Sequence, residues 1–405
     1  MAYGFLAGTR IVEWGEALTA PYCGKLLAEL GAQVVKIEPL PDGESGRGLP
    51  PFAGDIPGAQ RSLLFEHLNA GKRSVALDLE SARGRELLLA LVGAADALVE
   101  DRPLAEKERL GFTFERLHRA SPALVVTSVS PYGKTGPYAR HKGYPSVSFH
   151  MSGAGYVTPA RVERPDQPPL SLPGRPAAIT GGLIAAAGTQ MALLARRFDG
   201  RGRHVDVAEV ETMLPMMATP INRYAMEERP EARTERATGV APFDFYPVMD
   251  GYASVFLVQE AHWQRFLAMM GNPEWAESDL FVDRRARAQY REDVAALMQP
   301  WLSQQRKEEL YAEAQAMDIP IGSAREMDEV LADDHFARRG VFQRGRHPAF
   351  GSTTYIQPPY RTSRGRWRPP APAPRLGEHT ADVLTGWLGV SPHEAAALVA
   401  EGAAR

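Results

Sequence analysis

Apolar and polar positions alternate along the first third of the chain in two different periods. Residues 9–15 (TRIVEWG) predict a strand, 21–30 a helix and 32–38 (AQVVKIE) a second strand. That order is a βαβ unit, in which parallel strands require a crossover helix. Residues 74–79 (SVALDL), a helix over 82–92, a strand at 97–99 and the apolar run 124–130 (LVVTSVS) continue the alternation. Strands alternating with helices predict a doubly wound parallel sheet with ligands at the carboxyl ends of its strands. No GxGxxG segment follows any of these strands, so a dinucleotide is not the first expectation.

The stretch 168–214 organises the rest. It opens extended, because residues before proline are pushed out of the helical region. From 177 to 197 it turns helical and is crowded with small residues, among them Gly181, Gly182 and Gly188. Glycine weakens a helix by about 1 kcal/mol relative to alanine, so the cluster predicts close backbone approach. Gly200 and Gly202 break the chain, and HVDVAEVE alternates as a strand, with Asp206, Glu209 and Glu211 expected to cap or pair at its junction with the next helix. The charged segment 227–239 reads as a linker. Residues 245–258 then predict a hairpin turning at Asp250-Gly251, followed by helices over 261–270 and 287–304. The division expected is 1–225 for a large domain, 226–330 for an inserted smaller α/β domain, and 331–405 for a return to the first.

Composition narrows the class. The chain has 405 residues, enough for two domains, and is 44% hydrophobic and 23% charged, as in soluble globular proteins. A net charge of −3 gives no reason to expect nucleic acid or an anionic membrane as partner. One cysteine excludes an internal disulfide and fits a reducing cytoplasm. No uninterrupted apolar run of about 18 residues is present, nor a basic-then-apolar N-terminal signal, so a cytoplasmic protein is expected. No metal-ligand spacing, phosphate-binding loop or nucleophile elbow appears, so no metal is expected.

Eight segments stand in an order that resembles the family III CoA-transferases (the CaiB/BaiF group, with formyl-CoA transferase and α-methylacyl-CoA racemase). They are GTRIVEWGEALTAPYCGKLLAELGAQVVKIEP, RSLLFEHLNAGKRSVALDL, VEDRP, RLGF, SPYGKTGPYARHKGY, GRGRHVDVAEVE, YPVMDGY and LGEHT. The resemblance covers nearly the whole chain. It implies a Rossmann-like large domain built from both chain ends, a smaller domain between, and two subunits interlocked like linked rings. It also implies CoA and acyl-CoA as substrates, with an aspartate before the Gly-rich helix attacking the thioester. Counting back from Gly200-Arg201-Gly202, that aspartate falls at Ala177 or Ala178, and neither side chain can attack. Tyr144-Pro145 likewise stand where the racemases carry a histidine acid/base.

Matched motif by motif, the resemblance places Lys72, Arg109 and Lys142 where cations meet CoA, with Arg73 beside them and Asp101 and Arg102 bordering the nucleotide. Ala17, Leu18 and Leu68 fall at further CoA-binding positions, and the loop from Glu16 to Pro21 lines the thioester site. Glu16 is a candidate acid/base if burial raises its pKa. His150 is a second candidate, although a lone histidine on an apolar stretch is more often a packed one. Cys23, at a helix start, is a candidate nucleophile because helix N-termini lower thiol pKa.

Three functions are compatible with these residues. The first is a subunit of a two-chain CoA-transferase, as in succinyl-CoA:(R)-benzylsuccinate CoA-transferase, whose partner supplies the aspartate. The second is a CoA-thioester lyase, dehydratase or isomerase using Glu16 or His150. The third is a non-catalytic CoA-ester binding protein.

Overall fold

A computed structural model describes residues 4–159, 162, 164, 166–230, 233 and 239–405. The chain divides into two compact units, one of residues 1–158, 169–231 and 340–405, the other of 159–168 and 232–339.

The large unit is built on six parallel strands: β1 (Arg10–Trp14), β2 (Gln33–Pro39), β3 (Arg73–Leu77), β4 (Ala97–Glu100), β5 (Val125–Ser130) and β6 (His204–Ala208). Their order across the sheet is β3-β2-β1-β4-β5-β6, and every neighbouring pair is parallel. This is the Rossmann order, and it reverses between β1 and β4, where such sheets open a ligand crevice. Alternate side chains serve two cores. Val12, Trp14, Val35, Leu98 and Val126 join one cluster, while Ile11, Val34, Ala97, Val99 and Val125 join the other. Both faces are therefore covered, as parallel sheets require.

The helices follow from local signals. In order they are α1 (Thr19–Glu29), α2 (Leu63–Asn69), α3 (Ala82–Gly93), α4 (Leu104–Leu110), α5 (Phe114–Ala120), α6 (Pro145–Met151), α7 (Pro176–Asp199), α8 (Glu209–Met213) and α9 (Ala218–Glu227). Ser62, Ser81 and Thr113 cap α2, α3 and α5 by accepting from backbone N–H groups three residues on. Helix α7 is long and apolar enough to cross a membrane by length and composition, which the run-by-run reading of the sequence missed. It belongs to the fold, because one face is buried against α1 and β5. The small residues expected to admit close approach do so. A Cβ on Gly182 would lie 2.7 Å from the Thr19 carbonyl oxygen of α1.

The chain end returns to the large unit. A hairpin of β10 (Phe342–His347) and β11 (Gly351–Ile356), which the sequence reading missed, is tied down by the Tyr355 hydroxyl donating to Glu66 at 2.6 Å. Helices α16 (Thr380–Leu388) and α17 (Pro392–Ala400) then lay Val383, Leu384, Trp387 and Leu398 on the β1–β5 core.

The small unit has an antiparallel sheet of β7 (Phe243–Val248), β8 (Gly251–Phe256) and β9 (Ile321–Ser323), in that order, around its own core of Trp263, Phe266, Val294 and Met298. Its helices are α10 (Glu260–Met269), α11 (Arg284–Gln289), α12 (Arg291–Leu302), α13 (Lys307–Ala316), α14 (Met327–Ala332) and α15 (Asp334–Arg338). The unit runs to 339, not 330. The Arg325 guanidinium bridges Glu308 and Asp333, and Lys307 pairs with Glu329, so α14 and α15 stay with α13. Much of the expected linker at 227–239 lies outside the described residues.

Candidate functional site

A cavity of about 580 Å³ opens at the carboxyl ends of β1, β4 and β5, at the point where the strand order reverses. It is lined by residues 16–19 after β1, Ser45 after β2, 101–105 after β4, 129–134 and 138–145 around and after the end of β5, and Glu209 at the start of α8.

The first loop is held in a costly shape. Ala17 has φ +56, a left-handed conformation that a residue with a Cβ adopts only when its surroundings impose it. Its N–H donates to Glu44 Oε2 at 2.8 Å, and the Glu16 N–H donates to Asp101 at 3.0 Å. Asp101 also faces the Ala20 N–H, at 3.4 Å. Burial pushes the Asp101 carboxyl up to about 7, against the opposing pull of Arg102 and the Glu16 N–H. The folded protein therefore keeps a proton that the unfolded chain releases near pH 4, and stability falls as pH rises from about 4 to about 7. Unfolding midpoints measured across that window should fall less steeply in Asp101→Asn than in the wild type. Equal slopes would show that Asp101 does not titrate there.

Glu16 does not occupy the setting an acid/base role called for. Its side chain is 36% exposed and forms an ion pair with Arg102, while Ser45 donates to its other oxygen at 3.3 Å. Arg102 is held in turn by Glu106, at 2.8 Å, and lies over the Trp14 ring. His150 corrects the second candidate. It is exposed on α6, packs edge-on to Phe149, and lies outside the cavity lining. Cys23 is buried in α1, and burial first, then the Glu13 carboxylate, pushes its thiol upward, away from the nucleophilic form.

Of the positions carried over from the resemblance, Ala17, Leu18, Asp101, Arg102 and Lys142 converge on this cavity. The others do not. Lys72 and Arg73 line a second cavity of about 560 Å³, near α2 and residues 371–379. The Lys72 ammonium is turned inward. It donates to Glu13 Oε2 at 2.6 Å, the Pro21 carbonyl at 2.8 Å and Asn69 at 2.9 Å, which uses all three of its protons. Leu68 packs with Leu18 and Ala178. Arg109 is on the surface, doubly bonded to Glu80 at 2.6 and 2.7 Å.

Ala177 and Ala178 are fully buried in the first turn of α7. Ala177 packs with Phe149, Ala154 and Met213, and Ala178 with Leu18 and Leu68; neither lines the cavity. The carboxylate that does reach the floor is Glu209. It is buried, accepts from the Thr19 hydroxyl at 2.5 Å and from the Ser148 hydroxyl at 2.9 Å, and forms no ion pair with a described residue. The sequence reading left it as a capping residue. Asp206 does not cap α8 but accepts the Lys134 backbone N–H of the loop after β5 at 2.9 Å, and Glu211 is exposed. The signal for Glu209 was the alternation Val205, Val207, Glu209, which continues the strand's inward face past its end.

The order of strands and the crevice define a Rossmann-type α/β protein with a ligand site at the switch point. The chain belongs to CoA-transferase family III, whose pattern it matches over residues 6–380. It is 28% identical to the succinate–glutarate CoA-transferase of Agrobacterium fabrum, over 94% of each chain. It is 30% identical to the succinyl-CoA:(R)-benzylsuccinate CoA-transferase subunit BbsE of Thauera aromatica, over 90% of each. Among solved structures it resembles a CAIB/BAIF family protein from Brucella suis, with a TM-score of 0.83 and 28% identity over 94% of this chain and 99% of that one. Enzymes of this family use CoA thioesters as substrates.

Proposed function

We propose that this chain binds an acyl-CoA thioester in the β1–β4–β5 cavity and takes part in CoA transfer to a free carboxylic acid as one subunit of a two-chain enzyme. The attacking carboxylate then comes from a similar partner. The observation that carries this reading is the burial of Ala177 and Ala178 in apolar packing at the start of α7, so that α7 offers the cavity no carboxylate. The kinship to a protein named as a subunit of a CoA-transferase supports it. The lyase reading loses its residues, since Glu16 is ion-paired and His150 lies outside the cavity lining.

The surface supports a partner. On α7, Ile184, Ala187, Met191, Leu194 and Phe198 are exposed at spacings of three and four, a seam of the kind that packs against another helix. None of the ten residues of α9 is buried, although it carries Ile221, Tyr224 and Met226. Apolar surface on this scale marks an interaction face. Leu194→Asp with Phe198→Asp should therefore convert the assembled protein to monomer in sedimentation analysis without changing its far-ultraviolet dichroism. An unchanged sedimentation coefficient would remove α7 as the interface. The reading itself is tested by transfer assays on the chain alone and on the chain combined with an aspartate-bearing relative. Full activity of the chain alone would end it.

A further inference from the structure

We propose that the acyl group taken by this cavity is uncharged and apolar-bodied, of the arylacyl kind, and that Glu209 excludes dicarboxylic half-thioesters; this rests on the cavity being the thioester site. The floor is made by Leu18, Thr19, Val129 and Glu209, all buried. It holds a carboxylate and no cation.

Apart from the Ser130 hydroxyl, which is buried without a hydrogen-bond partner, the donors named here are already used. The Thr19 and Ser148 hydroxyls donate to Glu209 itself. The N–H groups of Glu16 and Ala20 go to Asp101, that of Ala17 to Glu44, and that of Leu18 to the Glu16 carbonyl. Most of the lining cations are engaged as well. Arg102 holds Glu16 and Glu106, Arg140 is doubly bonded to Glu108 at 3.0 and 2.7 Å, and Lys134 donates to the Arg102 carbonyl at 2.8 Å. Among the described lysines and arginines of the lining only Lys142 forms no ion pair, and it is exposed.

An acyl-CoA entering such a cavity has one favourable direction. Its anionic nucleotide stays toward solvent and Lys142, and its acyl end goes to the floor. A second carboxylate on the acyl group would there meet the unpaired Glu209 in a site of low dielectric, with the buried Ser130 hydroxyl as a lone unpartnered donor and no cation on the floor. An apolar acyl group instead meets aromatic walls. The Tyr132 and Tyr138 rings lie edge to face at 5.8 Å, Tyr138 stacks with His141 at 5.0 Å, and Tyr144 stands exposed beside them. Such faces favour a ring or a branched hydrocarbon.

The test is calorimetric titration of the purified protein with phenylacetyl-CoA, succinyl-CoA and free CoA. Phenylacetyl-CoA is expected to bind at least about tenfold tighter than succinyl-CoA, and Glu209→Gln to recover about tenfold in succinyl-CoA affinity while leaving free CoA unchanged. Tyr138→Ala, at an exposed position that does not threaten folding, is expected to weaken phenylacetyl-CoA alone. Free CoA binding with equal affinity for the two esters would overturn the acyl assignment and leave the thioester site intact. Tyr138→Ala weakening free CoA as much as phenylacetyl-CoA would give the aromatic wall to the nucleotide and also overturn it. Failure of free CoA to bind would remove the cavity as a thioester site, and the assignment with it.

Discussion

Replacing Lys72 with alanine is expected to lower unfolding stability by about 3–5 kcal/mol, the range for breaking a buried ion pair from one side. Total stabilities run to only about 5–15 kcal/mol, so the variant should be close to unfolding. The reason lies under the first loop. Glu13 is fully buried at the end of β1, where Lys36 holds one oxygen at 2.9 Å and Lys72 the other at 2.6 Å. Gly24 of α1 leaves the space that this carboxylate fills, since a Cβ there would sit 1.8 Å from Glu13 Oε2. Burial pushes the Lys72 ammonium down to about 8, with Glu13 pulling it back up. Without Lys72, Glu13, Asn69 and the Pro21 carbonyl lose their donor together. Urea unfolding of Lys72→Ala measures the loss, and Arg109→Ala is the control, since its exposed pair with Glu80 contributes little. A Lys72→Ala midpoint equal to wild type, with CoA affinity reduced, would instead return Lys72 to phosphate binding.

Purified as the only polypeptide, the chain is expected to transfer CoA on the order of 10⁴-fold more slowly than when combined with a similar chain bearing aspartate at the position of Ala178. Losses of that order follow removal of a nucleophile from a covalent mechanism. The cause is chemical, because the Ala178 side chain is a methyl group and no acidic residue stands in the first turn of α7. Initial rates with phenylacetyl-CoA and a free acid, measured on each chain and on the mixture, separate the outcomes. A rate for this chain alone within tenfold of the mixture would contradict the two-chain reading.

The sheet was legible because its strands are short apolar runs broken by helical spacing, and a parallel sheet buried on both faces produces that signal. The hairpin of β10 and β11 was not. Its strands, FQRGRH and GSTTYI, mix charge, glycine and hydroxyls, and buried contacts of Tyr355 and His347 with Glu66 hold them. The site was legible in part. Ala17, Leu18, Asp101, Arg102 and Lys142, named from separate motifs, line one cavity, since loop positions after strands converge on one crevice. The inward turn of the Lys72 ammonium was not legible, because NAGKRS says nothing about which way it points. The clue was in β1 and β2, where Glu13 and Lys36 stand inside apolar runs and signal a buried charge network needing further partners. Glu209 required both Thr19 and Ser148, residues 190 and 61 positions away, to be seen beside it.

Hydroxylamine trapping tests the central claim most directly. The assembled enzyme is turned over with acyl-CoA, quenched with hydroxylamine, which converts an acyl-carboxylate to a hydroxamate, and mapped by peptide mass spectrometry. The hydroxamate is predicted on the partner's aspartate, with none on any Asp or Glu of this chain. A hydroxamate on this chain, at Glu209 above all, would contradict the account and make the chain its own nucleophile.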